Sequence, residues 1–255
     1  MKRTLITGAS SGLGYELAKL YANDHNDLIL VARSEEKLNE IKKEIENLYN
    51  VKCDVVIADL SKREDWEKVY NFTEEKGYFV NNLVNNAGFG DRTDFLQMDV
   101  NVQIDMTEVN CNSALYFTRM FLPMMVKYND GHIINVASIA GFVPGPYMAT
   151  YHATKGYLLL LGEAISHEIR KTKVKLLTLC PGPFNSGFVS KAGNDYTFKK
   201  IKPIEAFQVA KFAYKKSLQG KNLAIVGFGN RLTVFASRFV PRSMVTSTSA
   251  KTIKK

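Results

Sequence analysis

Residues 3 to 7 (Arg-Thr-Leu-Ile-Thr) read as a short strand that stops at a glycine-rich run, Gly8-Ala9-Ser10-Ser11-Gly12-Leu13-Gly14. Leu13 to Ala22 then carries apolar residues at helical spacing, with Leu13, Leu17 and Leu20 on one stripe. A strand, a glycine turn and a helix in that order constrain the chain more than any other segment. At such a junction the helix N-terminus offers unpaired amides and a positive dipole end to a pyrophosphate, and glycine lets the backbone come close. Gly8, Ser10, Ser11, Gly12, Leu13 and Gly14 are therefore candidate phosphate neighbours. The spacing is GxxxGxG, and alone it also describes a turn that binds nothing.

The following segments narrow the choice. Asp27 to Ala32 is apolar and partly β-branched, as a parallel strand covered on both faces should be, and it ends at Arg33-Ser34. An acidic residue there would accept hydrogen bonds from a free 2′-hydroxyl, whereas arginine complements a 2′-phosphate, so Arg33 favours NADP over NAD. The competing reading is an arginine that caps a strand in solvent. Cys53 to Ala58 reads as a third strand ending at Asp59-Leu60, an edge for an adenine ring, and Asn82 to Val84 as a fourth running into Asn85-Asn86-Ala87-Gly88.

These motifs, with Asn110, Ser138, Tyr151-His152-Ala153-Thr154-Lys155 and Pro181-Gly182, occur in an order that resembles the short-chain dehydrogenase/reductase family over roughly residues 3 to 226. The resemblance implies an α/β, Rossmann-type, doubly wound and mostly parallel seven-stranded sheet, order 3-2-1-4-5-6-7, with helices on both faces. It implies an NADP(H)-dependent oxidoreductase acting on a carbonyl or alcohol. Asn86, Ala87 and Gly88 would border the cofactor, and Pro181, Gly182 and Phe184 would present main-chain groups to its carboxamide, with the Ser186 hydroxyl near a position where the family often has threonine. Phe184 replaces a smaller β-branched residue common there.

The chemistry has a physical basis. Tyr151 and Lys155, at i and i+4, share one face of a helix expected from Thr150 to about Lys171. A unit charge about 5 Å away at an effective dielectric near 20 contributes roughly 3 kcal/mol, or about two pKa units, which would bring the phenol down toward the working range. Tyr151 is thus the candidate acid for carbonyl reduction and base for the reverse. Ser138 follows a fifth strand, His132 to Ala137, and would face the crevice where open parallel sheets bind ligands. By the resemblance Ser138 holds the substrate oxygen, Lys155 also holds the nicotinamide ribose, and Asn110 anchors a water that resupplies the proton.

Phe89, Phe142, Tyr147, Phe184 and Phe188 fall in segments expected to wall the substrate site, which points to an apolar ketone, aldehyde or acyl-type carbonyl. The different-class alternative is a non-catalytic NADP-sensing or scaffold protein with the same fold, and the complete Ser-Tyr-Lys set argues against it.

Alternating strand and helix patterns and 45% hydrophobic content suit one NADP-binding domain over residues 1–228, followed by a basic extension over 229–255. No apolar run is long enough to span a bilayer, and Met1 nearly abuts the first strand, so a cytoplasmic location is expected. Cys53, Cys111 and Cys180 read as reduced core thiols, and neither they nor His25, His132, His152 and His167 show metal-ligand spacing, so no metal is expected. Pro181 follows a sixth strand, Val174 to Cys180. Apolar residues Leu158 to Leu161 spread around more than one face of their helix, and the family uses this helix to associate, so a homodimer or homotetramer is expected.

Charge is uneven. Residues 199–255 hold thirteen Lys/Arg and one acid, Glu205, a net of +12 against +9 for the whole chain. Leu232, Phe235, Phe239 and Val240 fit a helical stripe beside Arg231 and Arg238, with Pro241 limiting its length. Such a segment can lie on an anionic membrane, cover the substrate site, dock on another subunit, or pack on its own domain ahead of a disordered Ser/Thr/Lys-rich tail. No nucleic acid partner is expected, since charge alone is not a motif.

Overall fold

The computed structural model describes residues 1–185 and 204–254. Seven parallel strands form one sheet in the spatial order β3-β2-β1-β4-β5-β6-β7. They are β1 Lys2–Thr7, β2 Leu28–Ala32, β3 Cys53–Ile57, β4 Phe79–Asn85, β5 His132–Val136, β6 Lys175–Cys180 and β7 Leu223–Ile225. Between them run α1 Gly12–Asn23, α2 Glu35–Tyr49, α3 Arg63–Glu75, α4 Val100–Thr107, α5 Ser113–Tyr128, α6 Ala149–Glu168 and α7 Ala206–Leu218. A separate two-residue pairing joins Phe184–Asn185 to Ile204–Glu205.

The pleat distributes the core. Ile6, Leu30, Val84, Ile134 and Leu177 face one way, against Leu17 and Tyr21 of α1, Leu38 and Ile45 of α2, and Val209 and Ala213 of α7. Leu5, Ile29, Leu83, Ile133 and Leu176 face the other way, against Trp66 and Val69 of α3 and Phe117, Phe121 and Met125 of α5. Because neighbouring side chains point to opposite faces and both faces are covered, the strands read as apolar runs rather than as alternating patterns. Parallel strands also place their C-terminal ends on one rim. The order reverses between β1 and β4, and the crevice opens there.

Helix α6 is shorter than its sequence suggests. It stops at Glu168, where the chain turns: both the amide and the hydroxyl of Thr172 donate to the Ile169 carbonyl, each at 2.8 Å. After β7 come α8, Phe228–Ala236, a 3-10 turn over Ser237–Phe239, and α9, Arg242–Lys254. The Ser/Thr-rich end is therefore helical rather than disordered. Its hydroxyls bond back to carbonyls four residues earlier, Thr246 to Arg242, Ser247 to Ser243 and Thr252 to Thr248, at 2.8 to 3.0 Å. Among the described residues no helix is long and apolar enough to cross a membrane.

Candidate active site

The floor of the crevice is a junction of two turns. Gly8 has φ of +65°, and a Cβ there would lie 2.8 Å from the Asn86 amide nitrogen and 2.9 Å from the Ala87 backbone, so only glycine sits without strain. The Asn86 side chain donates to the carbonyls of Thr7 (2.9 Å) and Gly8 (3.1 Å). The Thr7 hydroxyl in turn accepts from the amides of Asn86 and Ala87, both at 3.0 Å. This lock fixes the turn before α1. Ser11, the residue preceding that helix, is extended and makes no side-chain cap, which leaves the first-turn amides for a ligand.

From this floor the crevice extends as one cavity of about 830 Å³. Gly8, Ser10, Ser11, Gly12, Leu13, Arg33, Asp59, Leu60, Asn86, Ala87, Gly88, Ser138, Tyr151, Lys155, Pro181, Gly182, Phe184 and Phe89 all line it, as their positions in sequence suggest. Gly14 does not: it lies behind the turn, where a Cβ would meet the Gly8 carbonyl and stand 2.6 Å from Asn86 Nδ2, so its role is to let α1 pack closely. Asp59 spends its carboxylate on the amide (3.1 Å) and hydroxyl (3.0 Å) of Ser61 and thereby shapes its own turn. Lys37, in the first turn of α2, joins Arg33 on the lining, a residue that motif spacing did not single out. A dinucleotide fits this arrangement, with its pyrophosphate at α1 and a cationic pair at the end of β2.

The reactive groups gather at the far end. Ser138 caps the 3-10 turn Ile139–Phe142, its Oγ accepting from the Ala140 amide at 3.1 Å and donating to the Pro181 carbonyl at 3.4 Å, and it lines the crevice together with Tyr151. Lys155 is 4% exposed; its Nζ donates to the Val136 carbonyl at 2.9 Å and stands 5.8 Å from the Tyr151 ring centroid. Asn110 lies in a π-helical segment, Glu108–Asn112, of the kind often found at functional sites. Its side chain is clamped to the Phe89 amide and carbonyl, both at 2.9 Å, and to the Thr154 hydroxyl at 3.0 Å, but it does not reach the cavity wall. A Cβ on Gly88 would sit 2.9 Å from Asn110 Oδ1 and 3.3 Å from Lys155 Nζ, so glycine is required between them.

Electrostatics correct one expectation. The phenol is not lowered: burial pushes Tyr151 up to about 12, and the Ser138 hydroxyl only partly opposes it. Burial also pushes Lys155 down to about 8, opposed by Cys111 and Cys180. Desolvation outweighs the attraction expected between the two because both side chains are enclosed. Tyr151 is thus held neutral and proton-bearing, and Lys155 is still largely charged at pH 7.

The substrate end departs further. Phe142 turns away from the cavity and packs against Ala114, Ala137, Leu158 and Leu159, because the 3-10 turn after Ser138 rotates it inward. Tyr147, at φ of +69°, also lies off the lining. Phe188 and Ser186 lie outside the described residues. Instead the wall is Ile139, Val143, Met148 and His152, whose Nδ1 lies 2.8 Å from the Val143 carbonyl. The C-terminal segment lines the same cavity with Val234, Val240, Val245 and Ile253 and with the hydroxyl-bearing Thr233, Ser237, Thr248, Ser249 and Thr252, so it roofs the site with a mixed surface. Asn230 of α8 rests against Gly182 and donates to the Val226 carbonyl at 2.7 Å. Among the described residues no three His, Cys, Asp or Glu side chains come together to hold a metal.

Comparison with known proteins agrees with this geometry. Residues 2–197 match the family described as short chain dehydrogenase. An uncharacterised oxidoreductase of Bacillus subtilis, DltE, is 33% identical over 190 residues, covering 74% of this chain and 73% of its own. The short-chain dehydrogenase from Sphingobium yanoikuyae in complex with NADPH superposes with a TM-score of 0.85 at 24% identity, over 94% of both chains. A short-chain dehydrogenase/reductase from Burkholderia phymatum in complex with NAD does so with a TM-score of 0.83 at 23% identity, over 92% of both. With the parallel sheet, the glycine turn and the Ser-Tyr-Lys cluster in one crevice, the chain belongs to the short-chain dehydrogenase family of oxidoreductases.

Proposed function

We propose that this protein is an NADP(H)-dependent reductase of an apolar carbonyl, a ketone, aldehyde or acyl-type compound. The observation that carries it is the gathering of Ser138, Tyr151 and the buried Lys155, whose Nζ stands 5.8 Å from the Tyr151 ring centroid, in the same crevice as the glycine turn. A reduced dinucleotide held at the turn by its pyrophosphate would supply the hydride from the nicotinamide at its other end. Ser138 would hold the substrate oxygen by donating its hydroxyl proton to it, and Tyr151, neutral before reaction, would hand its own proton to that oxygen. The Lys155 ammonium would stabilise the phenolate left behind. Asn110, held by Phe89 and Thr154, would position its own helical segment beside Lys155 for proton resupply. Arg33 and Lys37 favour a 2′-phosphate over a free hydroxyl.

The neighbours' bound cofactors, NADPH in one and NAD in another, support the cofactor class, and the cationic pair supports the choice within it. Three buried, unpaired thiols suit a reducing compartment such as the cytoplasm. Outward apolar side chains on α5 and α6, among them Met124 and the 69% exposed Leu160, suit a homodimer or homotetramer. Light scattering at the monomer mass would contradict that assembly. The reaction is tested by NADPH oxidation across apolar ketones, aldehydes and acyl thioesters, with polar sugars as controls. Turnover on the apolar set is the expected result; activity confined to sugars, or none, overturns the reading.

A further inference from the structure

The C-terminal helices have two unlike faces. Val234, Val240 and Val245 look into the crevice, whereas Phe228, Leu232, Phe235 and Phe239, at i, i+4, i+7 and i+11, are 81%, 59%, 57% and 74% exposed. Met244 at the start of α9 is also exposed, at 59%. Four large apolar side chains in one outward stripe are unusual on a surface where scattered single ones are the rule. Arg231, Arg238 and Arg242 flank the stripe, and among the described residues none has an acidic side chain within ion-pair distance, although Arg231 Nε donates to the Ile225 carbonyl at 3.1 Å and its guanidinium stands 5.9 Å from the Phe212 ring centroid. The sequence beyond Glu205 contains ten Lys/Arg and no Asp or Glu.

From this charge complementarity we infer that the outer face of α8, the 3-10 turn and the start of α9 is a docking surface for an anionic lipid bilayer. Aromatic and aliphatic side chains on an amphipathic helix bury at the headgroup boundary while neighbouring arginines pair with anionic lipids. A second copy of the chain fits less well, because a twofold contact would set this uniformly positive face against itself. Docking so placed puts the inner face of the same helices, and with it the mouth of the crevice, at the membrane boundary.

The test is co-sedimentation of the full-length protein with vesicles of phosphatidylcholine alone and with phosphatidylglycerol added. Binding to the anionic vesicles only is expected, weakening in high salt. Arg231→Glu/Arg238→Glu/Arg242→Glu is expected to lower the partition coefficient by at least about a hundredfold, and Leu232→Ser/Phe235→Ser/Phe239→Ser by at least about tenfold. Circular dichroism and NADPH binding, both expected unchanged, show that the variants remain folded. Failure of the wild type to bind anionic vesicles overturns the inference. So does binding that survives loss of the apolar residues, which would mark a generic polyanion site. A dimer that the apolar variant dissolves, in a protein that ignores vesicles, assigns the face to a second copy and overturns it equally. None of these outcomes depends on the reductase activity.

Discussion

The floor and the roof of the crevice are built on opposite terms. The residues that build or brace the floor are tied to the backbone of a different element: Asn86 to Thr7 and Gly8, Asn110 behind it to Phe89, Lys155 to Val136. Roof residues bond mostly within their own helices, as Thr233 does to Gly229 and Thr252 to Thr248, and leave large apolar side chains in solvent. A floor of that kind constrains residue type closely, whereas the roof mixes apolar residues such as Val234 and Ile253 with hydroxyls such as Thr248 and Thr252 that bond within their own helix or face the crevice. The floor therefore depends on a few residue identities, and the roof much less so.

The largest effect is expected where the floor encloses a charge. Lys155 is depressed to about 8 from an ordinary value of 10.5, so between those pH values the unfolded chain holds a proton that the folded chain lacks, and stability rises with pH across that window. Below about pH 8 both states are protonated and the penalty is complete, roughly 3 kcal/mol, less about 1 for the hydrogen bond to Val136. Lys155→Met without cofactor is thus expected to be more stable by about 2 kcal/mol near pH 7, with the gain disappearing above about pH 10.5, while turnover falls at least about a hundredfold. Urea unfolding across that range checks it, and a variant less stable than wild type at pH 7 breaks the contrast.

A smaller effect is expected at the exposed edge of the floor. Arg33→Ala/Lys37→Ala is expected to weaken NADP binding about thirtyfold, some 2 kcal/mol, and to leave NAD binding unchanged. Equal losses for both dinucleotides in a fluorescence titration would remove the assignment of these cations to a 2′-phosphate. The smallest belongs to the roof. Val240→Ala, at a residue 39% exposed, is expected to cost less than about 0.5 kcal/mol of stability and to raise KM for an apolar ketone a few fold, with NADPH affinity unchanged. Weaker NADPH binding instead would mean that floor and roof are not separate devices.

The same contrast explains what the sequence disclosed. The order of strands, the glycine turn and the Ser138, Tyr151 and Lys155 cluster were legible because each depends on residue type and spacing. Lys37 could have been found, since α2 starts at Glu35 and so puts Lys37 in its first turn, just past Arg33 at the end of β2. The π-helical segment at Asn110 has no composition signal, and the direction of Phe142 follows from a 3-10 turn that spacing does not reveal. The raised proton affinity of Tyr151 depends on the desolvation around it at the start of α6, which is a property of the packed fold. For the C-terminus, the apolar stripe was plain, yet amphipathicity does not say which face turns inward. Here the small residues Val234 and Ala236 face the crevice and the large ones face out.

One comparison bears most directly on the proton donor: NADPH oxidation by wild type and by Tyr151→Phe with the best apolar carbonyl, alongside NADPH titration of both. Loss of the hydroxyl is expected to reduce turnover by about a thousandfold or more while NADPH binds as before. Turnover within a few fold of wild type would contradict the assignment of Tyr151 as the acid.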